Sequence, residues 1–155
     1  MVEPINIFIS HCGIDADSLI KVRDMLKRRG FSVRDSSIDE RNPNKANNPD
    51  YIKSLIRPQI EWAGTIIVLI GPKTHTREWV NWEIEYASSF GNKRIVGIYL
   101  RGATNADVPE NLNKYGDALV PWNSEKLASA IDGEDIWHDT DDQPRPGKQF
   151  IRSKC

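Results

Sequence analysis

Thr65-Ile66-Ile67-Val68-Leu69-Ile70 runs through six positions without a charge and without polar alternation. A strand with one wet face alternates, whereas a strand buried on both faces does not, and that environment belongs to parallel sheets covered by helices on either side. Gly71-Pro72 ends the run. This segment predicts the centre of a layered α/β domain, and the rest of the chain has to supply the covering helices and flanking strands.

The flanking sequence supplies them. Ile5-Asn6-Ile7-Phe8-Ile9-Ser10 is rich in β-branched residues and reads as a first buried strand. Asp15 and Asp17 then stand where a helix N-cap belongs, and Leu19, Val22, Met25 and Leu26 follow at helical spacing. Lys27, Arg28 and Arg29 complement the helix dipole before Gly30, so residues 16–29 are expected to form an amphipathic helix. Residues 31–34 predict a short second strand, followed by a polar stretch, residues 36–49, of the length that marks functional loops. A second helix is expected from Asp50, kinked or divided at Pro58. Residues 78–90 predict a third helix capped by Gly91, and 94–100 a fourth strand. A loop carries Gly102, Asn105 and Pro109, residues 118–120 predict a fifth strand, and Ser124 is expected to cap a last helix ending near Ile131. Strands alternating with helices in this way predict an α/β fold with a parallel sheet and right-handed crossovers. The expected organisation is a domain over residues 1–131 and a tail over 132–155, acidic first and basic after, with Trp137 and Phe150 as points where it could dock.

The 155-residue length suits one domain with a real core. A net charge of -1 offers no basic footprint for nucleic acid. No apolar run approaches the ~20 residues of a membrane span, and Glu3, Pro4 and Asn6 break any leader-like segment after Met1. Cys12 and Cys155 fit no zinc spacing, and the expected compartment is a reducing one, most simply the cytoplasm. No P-loop, no G-x-G-x-x-G after the first strand and no acceptor acid of a receiver domain is present.

Ligands of open α/β sheets bind beyond the carboxyl ends of the strands. Those ends are Ser10-His11-Cys12, Asp35-Ser36, residues 71–76 and Arg101. On a wheel of the third helix, Trp79, Glu83, Ala87 and Phe90 share a stripe beside the inward stripe of Val80 and Ile84. Glu83 thus lies at the edge of the packing face, close to the strand-end rim, while Glu85 points about 200° away, towards water. A carboxyl so placed either pairs with a nearby Arg, caps a loop, or stays unpaired with a raised pKa and serves a site. Ser10 and His11 read either as polar groups lining a pocket or as a nucleophile and base without the elbow motif, and Cys12 as a loop thiol or a nucleophile. His75 and His138 read as surface residues, and no metal site is expected.

Phe8-Ile9-Ser10-His11 resembles the first-strand motif of TIR domains, Gly30-Phe31-Ser32-Val33 their second strand, and residues 36–49 their BB loop. Thr65 to Gly71 is similar to their third strand, and Gly91 to Ile98 to their fourth with its preceding turn. Trp79-Val80-Asn81-Trp82-Glu83-Ile84 matches their W-x-x-x-E pattern. The resemblance covers roughly residues 5–131 and is nearest to compact bacterial TIR-like proteins of the Thoeris antiphage type, with Arg77-Glu78-Trp79-Val80 leading to Glu83-Ile84 as in their signature.

The resemblance implies a flavodoxin-like (TIR) three-layer fold around a central, mostly parallel five-stranded sheet. It implies an NAD⁺-cleaving enzyme, of the NAD⁺ glycohydrolase or ADP-ribosyl cyclase type, in which Glu83 is catalytic. On that view Trp79 shapes the pocket, and Ser10, His11 and Asp35 contact ribose or phosphate. NAD⁺ is then the substrate and no cofactor is needed. The product would be an ADP-ribose-derived, cyclic signal for a downstream effector, with homo-oligomers formed through TIR contacts and no nucleic-acid or membrane partner. The residues by themselves agree with that chemistry, because a positioned carboxylate steadies the positive charge that develops on ribose as an N-glycosidic bond breaks. Two alternatives remain open at this point: a non-catalytic TIR assembly module, and an N-glycosidic enzyme like a nucleoside deoxyribosyltransferase.

Overall fold

A computed structural model describes residues 5–11, 16–35, 49–72, 74 and 78–144. The elements are β1 (Asn6–Ser10), α1 (Ala16–Arg28), β2 (Ser32–Asp35), α2 (Pro49–Trp62), β3 (Thr65–Ile70), α3 (Glu78–Ser88), β4 (Arg94–Tyr99), α4 (Glu110–Tyr115), β5 (Ala118–Val120) and α5 (Ser124–Ile131). The five strands form one sheet in the order β2-β1-β3-β4-β5, and every neighbouring pair is parallel. The apolar run of residues 65–70 is its central strand, with all six residues buried.

Alternation along the strands sorts the core into two layers. Phe8, Ile66, Val68, Ile70, Ile95, Tyr99 and Leu119 pack against Ile52, Ile56 and Ile60 of α2, Val80, Ile84 and Ala87 of α3, and Leu112 of α4. Ile7, Ile9, Ile67, Leu69, Val96 and Ile98 face the other way, onto Leu19, Val22 and Leu26 of α1 and Leu127, Ala130 and Ile131 of α5. The result is the three-layer, flavodoxin-like α/β architecture expected from the sequence.

Several boundaries differ from expectation. Helix α2 is not divided at Pro58: it continues to Trp62, because Pro58 lies on the exposed side while Ile56 and Ile60 are held in the core. The loop expected after β4 contains a single 3-10 turn, Asn105–Asp107, and the helix α4. Six residues with one buried apolar side chain, Leu112, are too few to print a helical period in the sequence. Leu112 instead depends on two glycines, one in β4 and one capping its own helix: a Cβ on Gly97 would lie 2.5 Å from its Cδ2, and one on Gly116 2.5 Å from its carbonyl oxygen. The cap of α5 is Asn123 rather than Ser124, its side chain accepting from the Lys126 N–H at 3.0 Å. Helix α3 ends at Ser88, and Gly91 leaves its terminal turn at φ 75°.

Residues beyond α5 run along the free edge of β5. Trp137 bridges Leu119 in parallel, the Leu119 N–H donates to the Ile136 carbonyl and the His138 N–H to the Leu119 carbonyl. Trp137 packs against the α2/α3/α4 layer and Ile136 against the α1/α5 layer. Asp142, at φ 61°, joins this segment to α5 by pairing with Lys126 and with His138. The expected BB loop (residues 36–49, except Pro49 at the start of α2), Cys12, Asp15, His75, Phe150, Cys155 and the basic stretch 145–154 lie outside the described residues.

Candidate active site

In a sheet of order 2-1-3-4-5 the connections leave β1 and β3 in opposite directions, and a crevice opens beyond their carboxyl ends. Ser10 is the last residue of β1, in register with Val68 of β3. It shares a face with Phe8, the face covered by α2 and α3. Helix α3 begins beyond the end of β3, and its second turn brings Glu83 back over β1. The Ser10 hydroxyl donates to Glu83 Oε1 at 2.8 Å.

Both partners are sealed: Ser10 is 0% and Glu83 1% exposed. Among the described residues nothing bonds to the second carboxyl oxygen, Oε2. No cation answers the acid either, so of the alternatives left open by the sequence, the Arg pair is not formed among the described residues. Burial pushes the Glu83 carboxyl from 4.5 up to about 8, and the Ser10 bond pulls against that rise. A buried polar oxygen without a partner costs free energy that a purely structural residue would not need to incur.

The other residues expected at the site divide as follows. Trp79, one turn before Glu83, is half-buried, packs on the core of this layer and meets Trp82 edge-to-face at 5.6 Å. His11 follows β1 directly and is half-buried. Asp35 ends β2 in register with Ile9 on the neighbouring strand; its side chain lies outside the described residues. Glu85 is exposed, as the wheel predicts.

Sequence reasoning singled out Trp79 and Phe90 but passed over Trp82 and Tyr86 between them; Phe90 lies just past the end of α3 and is exposed. Trp82 stacks on Tyr86 at 5.5 Å, and Tyr86 meets Phe90 edge-on at 5.2 Å. Lys53 and Arg57 of α2 lie over Trp82, and the Tyr86 hydroxyl donates to Glu61 at 2.7 Å. The i, i+4 spacing of Trp82, Tyr86 and Phe90 was the available signal. This ladder ties α2 to α3 and so fixes the helix that carries Glu83. The described clefts that touch neither Ser10 nor Glu83 include one between α1 and α5, beside Trp122 past the carboxyl end of β5, and one at the opposite end of the sheet, beside Lys114.

The fold and this rim define a flavodoxin-like domain with a buried acid at its switch point. The family described as "Thoeris protein ThsB, TIR-like domain" matches residues 8–105, and the chain belongs to that family, a defence-associated group of TIR domains. No curated protein matches the chain by sequence. Among solved structures, a 2-deoxyribosyltransferase from Bacillus psychrosaccharolyticus is similar with a TM-score of 0.58 at 13% identity, over 81% of this chain and 95% of that one. A response regulator from Burkholderia pseudomallei is similar with a TM-score of 0.51 at 15% identity, over 97% and 72%. At such identities these likenesses show a shared fold and nothing more. Among the described residues no helix is long and apolar enough to cross a membrane, and no cluster of three His, Cys, Asp or Glu side chains could hold a metal.

Proposed function

We propose that the protein cleaves the bond between nicotinamide and ribose in NAD⁺, with Glu83 as the catalytic carboxylate, and so makes an ADP-ribose-derived signal for a partner effector in antiphage defence. The observation that carries this reading is the Ser10–Glu83 pair: a buried acid with one orphan oxygen and no cation beside it among the described residues, at the switch point of a TIR-like domain.

The chemistry follows from charge. The C1′–N bond of NAD⁺ breaks with its electron pair going to the pyridinium, which departs as neutral nicotinamide, while the ribose becomes an oxocarbenium ion. A carboxylate facing that cation lowers the barrier, most effectively where water is scarce. Glu83 rests largely protonated at neutral pH, since burial holds it near 8. A cation placed beside it favours ionisation, so NAD⁺ itself helps to generate the charged form. The sequence ends when an oxygen or nitrogen nucleophile, from water or from the same ADP-ribosyl group, bonds to C1′ and releases its proton. A closed pocket favours the internal nucleophile and a cyclic product. His11, Asp35 and Trp79 are proposed to hold ribose, phosphate and the ring. NAD⁺ is a substrate here, and neither metal nor further cofactor takes part. Assembly through TIR contacts would bring several such sites together.

Mass spectrometry of NAD⁺ incubated with wild-type and Glu83→Gln protein tests the reading, with any trigger from an infected-cell extract supplied. Nicotinamide and an ADP-ribosyl product from the wild type alone are expected; equal release by both proteins would remove Glu83 from catalysis. The fold shared with a 2-deoxyribosyltransferase favours one second reading, transfer of a deoxyribosyl group between bases, which uses the same oxocarbenium chemistry. Exchange of free base into a deoxynucleoside, with NAD⁺ untouched, would select it.

A further inference from the structure

We infer that Ser10 is a positioning residue for Glu83: its hydroxyl binds one carboxyl oxygen and thereby presents the other, Oε2, as the oxygen that meets the substrate. This deepens the reading of Glu83 as the catalytic carboxylate and rests on it.

A serine hydroxyl has a single proton to donate. Here that proton is directed to Glu83 Oε1, across 73 positions of sequence, and Ser10 has no exposed surface. Ser10 is therefore not a free donor waiting for ribose or phosphate. Its backbone is fixed by its place at the end of β1, an interior strand paired with β2 on one side and β3 on the other. Glu83 has three side-chain torsions and would otherwise turn freely about its carboxyl axis. One bond from a rigid strand to Oε1 removes that freedom. The two oxygens become unequal: Oε1 is held, and Oε2 has no partner among the described residues. Orientation of this kind raises rate without needing a contact to substrate.

The bond also acts on ionisation. Ser10 lowers the Glu83 pKa, and burial is the only larger cause. Among the described residues, the charged groups on the elements packed against α3 are exposed or engaged elsewhere. Lys53 and Arg57 of α2 lie over Trp82, and Glu61 accepts from Tyr86. Arg94 of β4 pairs with Asp135, and the Tyr99 hydroxyl donates to Asn105. Glu110 and Lys114 of α4 are exposed. Removing the serine hydroxyl therefore leaves burial unopposed by any described residue, and the carboxyl should ionise at higher pH.

Steady-state kinetics of NAD⁺ cleavage by Ser10→Ala, Ser10→Thr, Glu83→Gln and the Ser10→Ala/Glu83→Gln double variant test this. Ser10→Ala should lower kcat by roughly tenfold, the worth of a hydrogen bond to a charged group, with KM changed by no more than about twofold. Its kcat/KM profile should move to higher pH, Ser10→Thr should recover most of the rate, and the double variant should match Glu83→Gln alone. A raised KM with kcat intact would make Ser10 a substrate contact and overturn the proposal. Additive losses in the double variant would overturn it as well. Titration of the Glu83 side-chain carbon by NMR, in wild type and Ser10→Ala, reads the contact without any turnover. An unchanged midpoint there overturns the proposal, whereas a wild type that ignores NAD⁺ while the midpoint rises overturns the NAD⁺ reading and leaves the Ser10 contact standing. If Ser10→Ala fails to fold, Ser10→Cys carries the same comparisons.

Discussion

Ser10 and Glu83 stand 73 positions apart and meet at 2.8 Å, strand end to helix, with no water-exposed surface on the serine and almost none on the acid. The contact joins the first strand to the helix after the third, across the point where the sheet changes direction. It leaves Glu83 Oε2 without a partner among the described residues. Most consequences that can be measured follow from that orphan oxygen and from the packing that keeps it dry.

Glu83→Gln keeps the shape and removes the charge. NAD⁺ turnover should fall by about a hundredfold or more, the scale of losing one electrostatic contact to a transition state. Nicotinamide release by chromatography reads it, with circular dichroism as the control for folding. Glu85→Gln, on the exposed side of the same helix, should retain most of the activity. An equal loss in both would mean that the helix surface, not the buried acid, matters.

Stability should fall as pH rises from 4.5 towards 8. In that window an unfolded chain has released the Glu83 proton while the folded chain, with its pKa near 8, still holds it. The folded state therefore binds more protons, and this contribution is full below the unfolded value and lost through the window, by up to roughly 1.4 kcal/mol per pH unit. Glu83→Gln should flatten this component and melt higher than wild type above neutrality. Thermal denaturation across pH compares the two; parallel profiles would mean that the acid is not buried in solution.

Gly97→Ala should destabilise the domain. The added methyl would lie 2.5 Å from Leu112 Cδ2 and 2.9 Å from Leu119 Cδ1, inside a filled core. Overpacking of this kind costs about 1–3 kcal/mol. Urea denaturation gives the value, and Gly64→Ala, where a Cβ meets nothing within 4 Å, is the control.

Trp137→Ala should lower stability by about 2 kcal/mol, the scale of a large side chain losing part of its buried area. Removing residues from 133 onward should cost more, because the Ile136 and His138 backbone bonds to Leu119 go too and the β5 edge is left open to other chains. Melting temperature and light scattering report the two effects. A truncated chain that melts like the full one and stays dispersed would show that β5 needs no cover.

Much of the layout was legible in residues that carry their own periodicity. The run of residues 65–70 announced a strand buried on both faces, and Leu19, Val22 and Leu26 announced the inward side of α1. The wheel of α3 placed Glu85 outward and Glu83 beside the core. These are short-range patterns, set by which side of a helix or strand a residue occupies, and a chain reports them locally. Helix α4, the passage of α2 through Pro58 and the docking of Trp137 were decided by packing. Leu112 is secured by Gly97 of β4 and by Gly116 at the end of its own helix, Pro58 is tolerated because its neighbours are buried, and Trp137 needs the β5 edge. The state of Glu83 belongs with these. The sequence alone determined that an acid would lie near the strand-end rim; only the tertiary structure decided that Ser10 would be its partner, that no described cation would reach it, and that burial would hold its proton, because desolvation is a property of everything packed around a group.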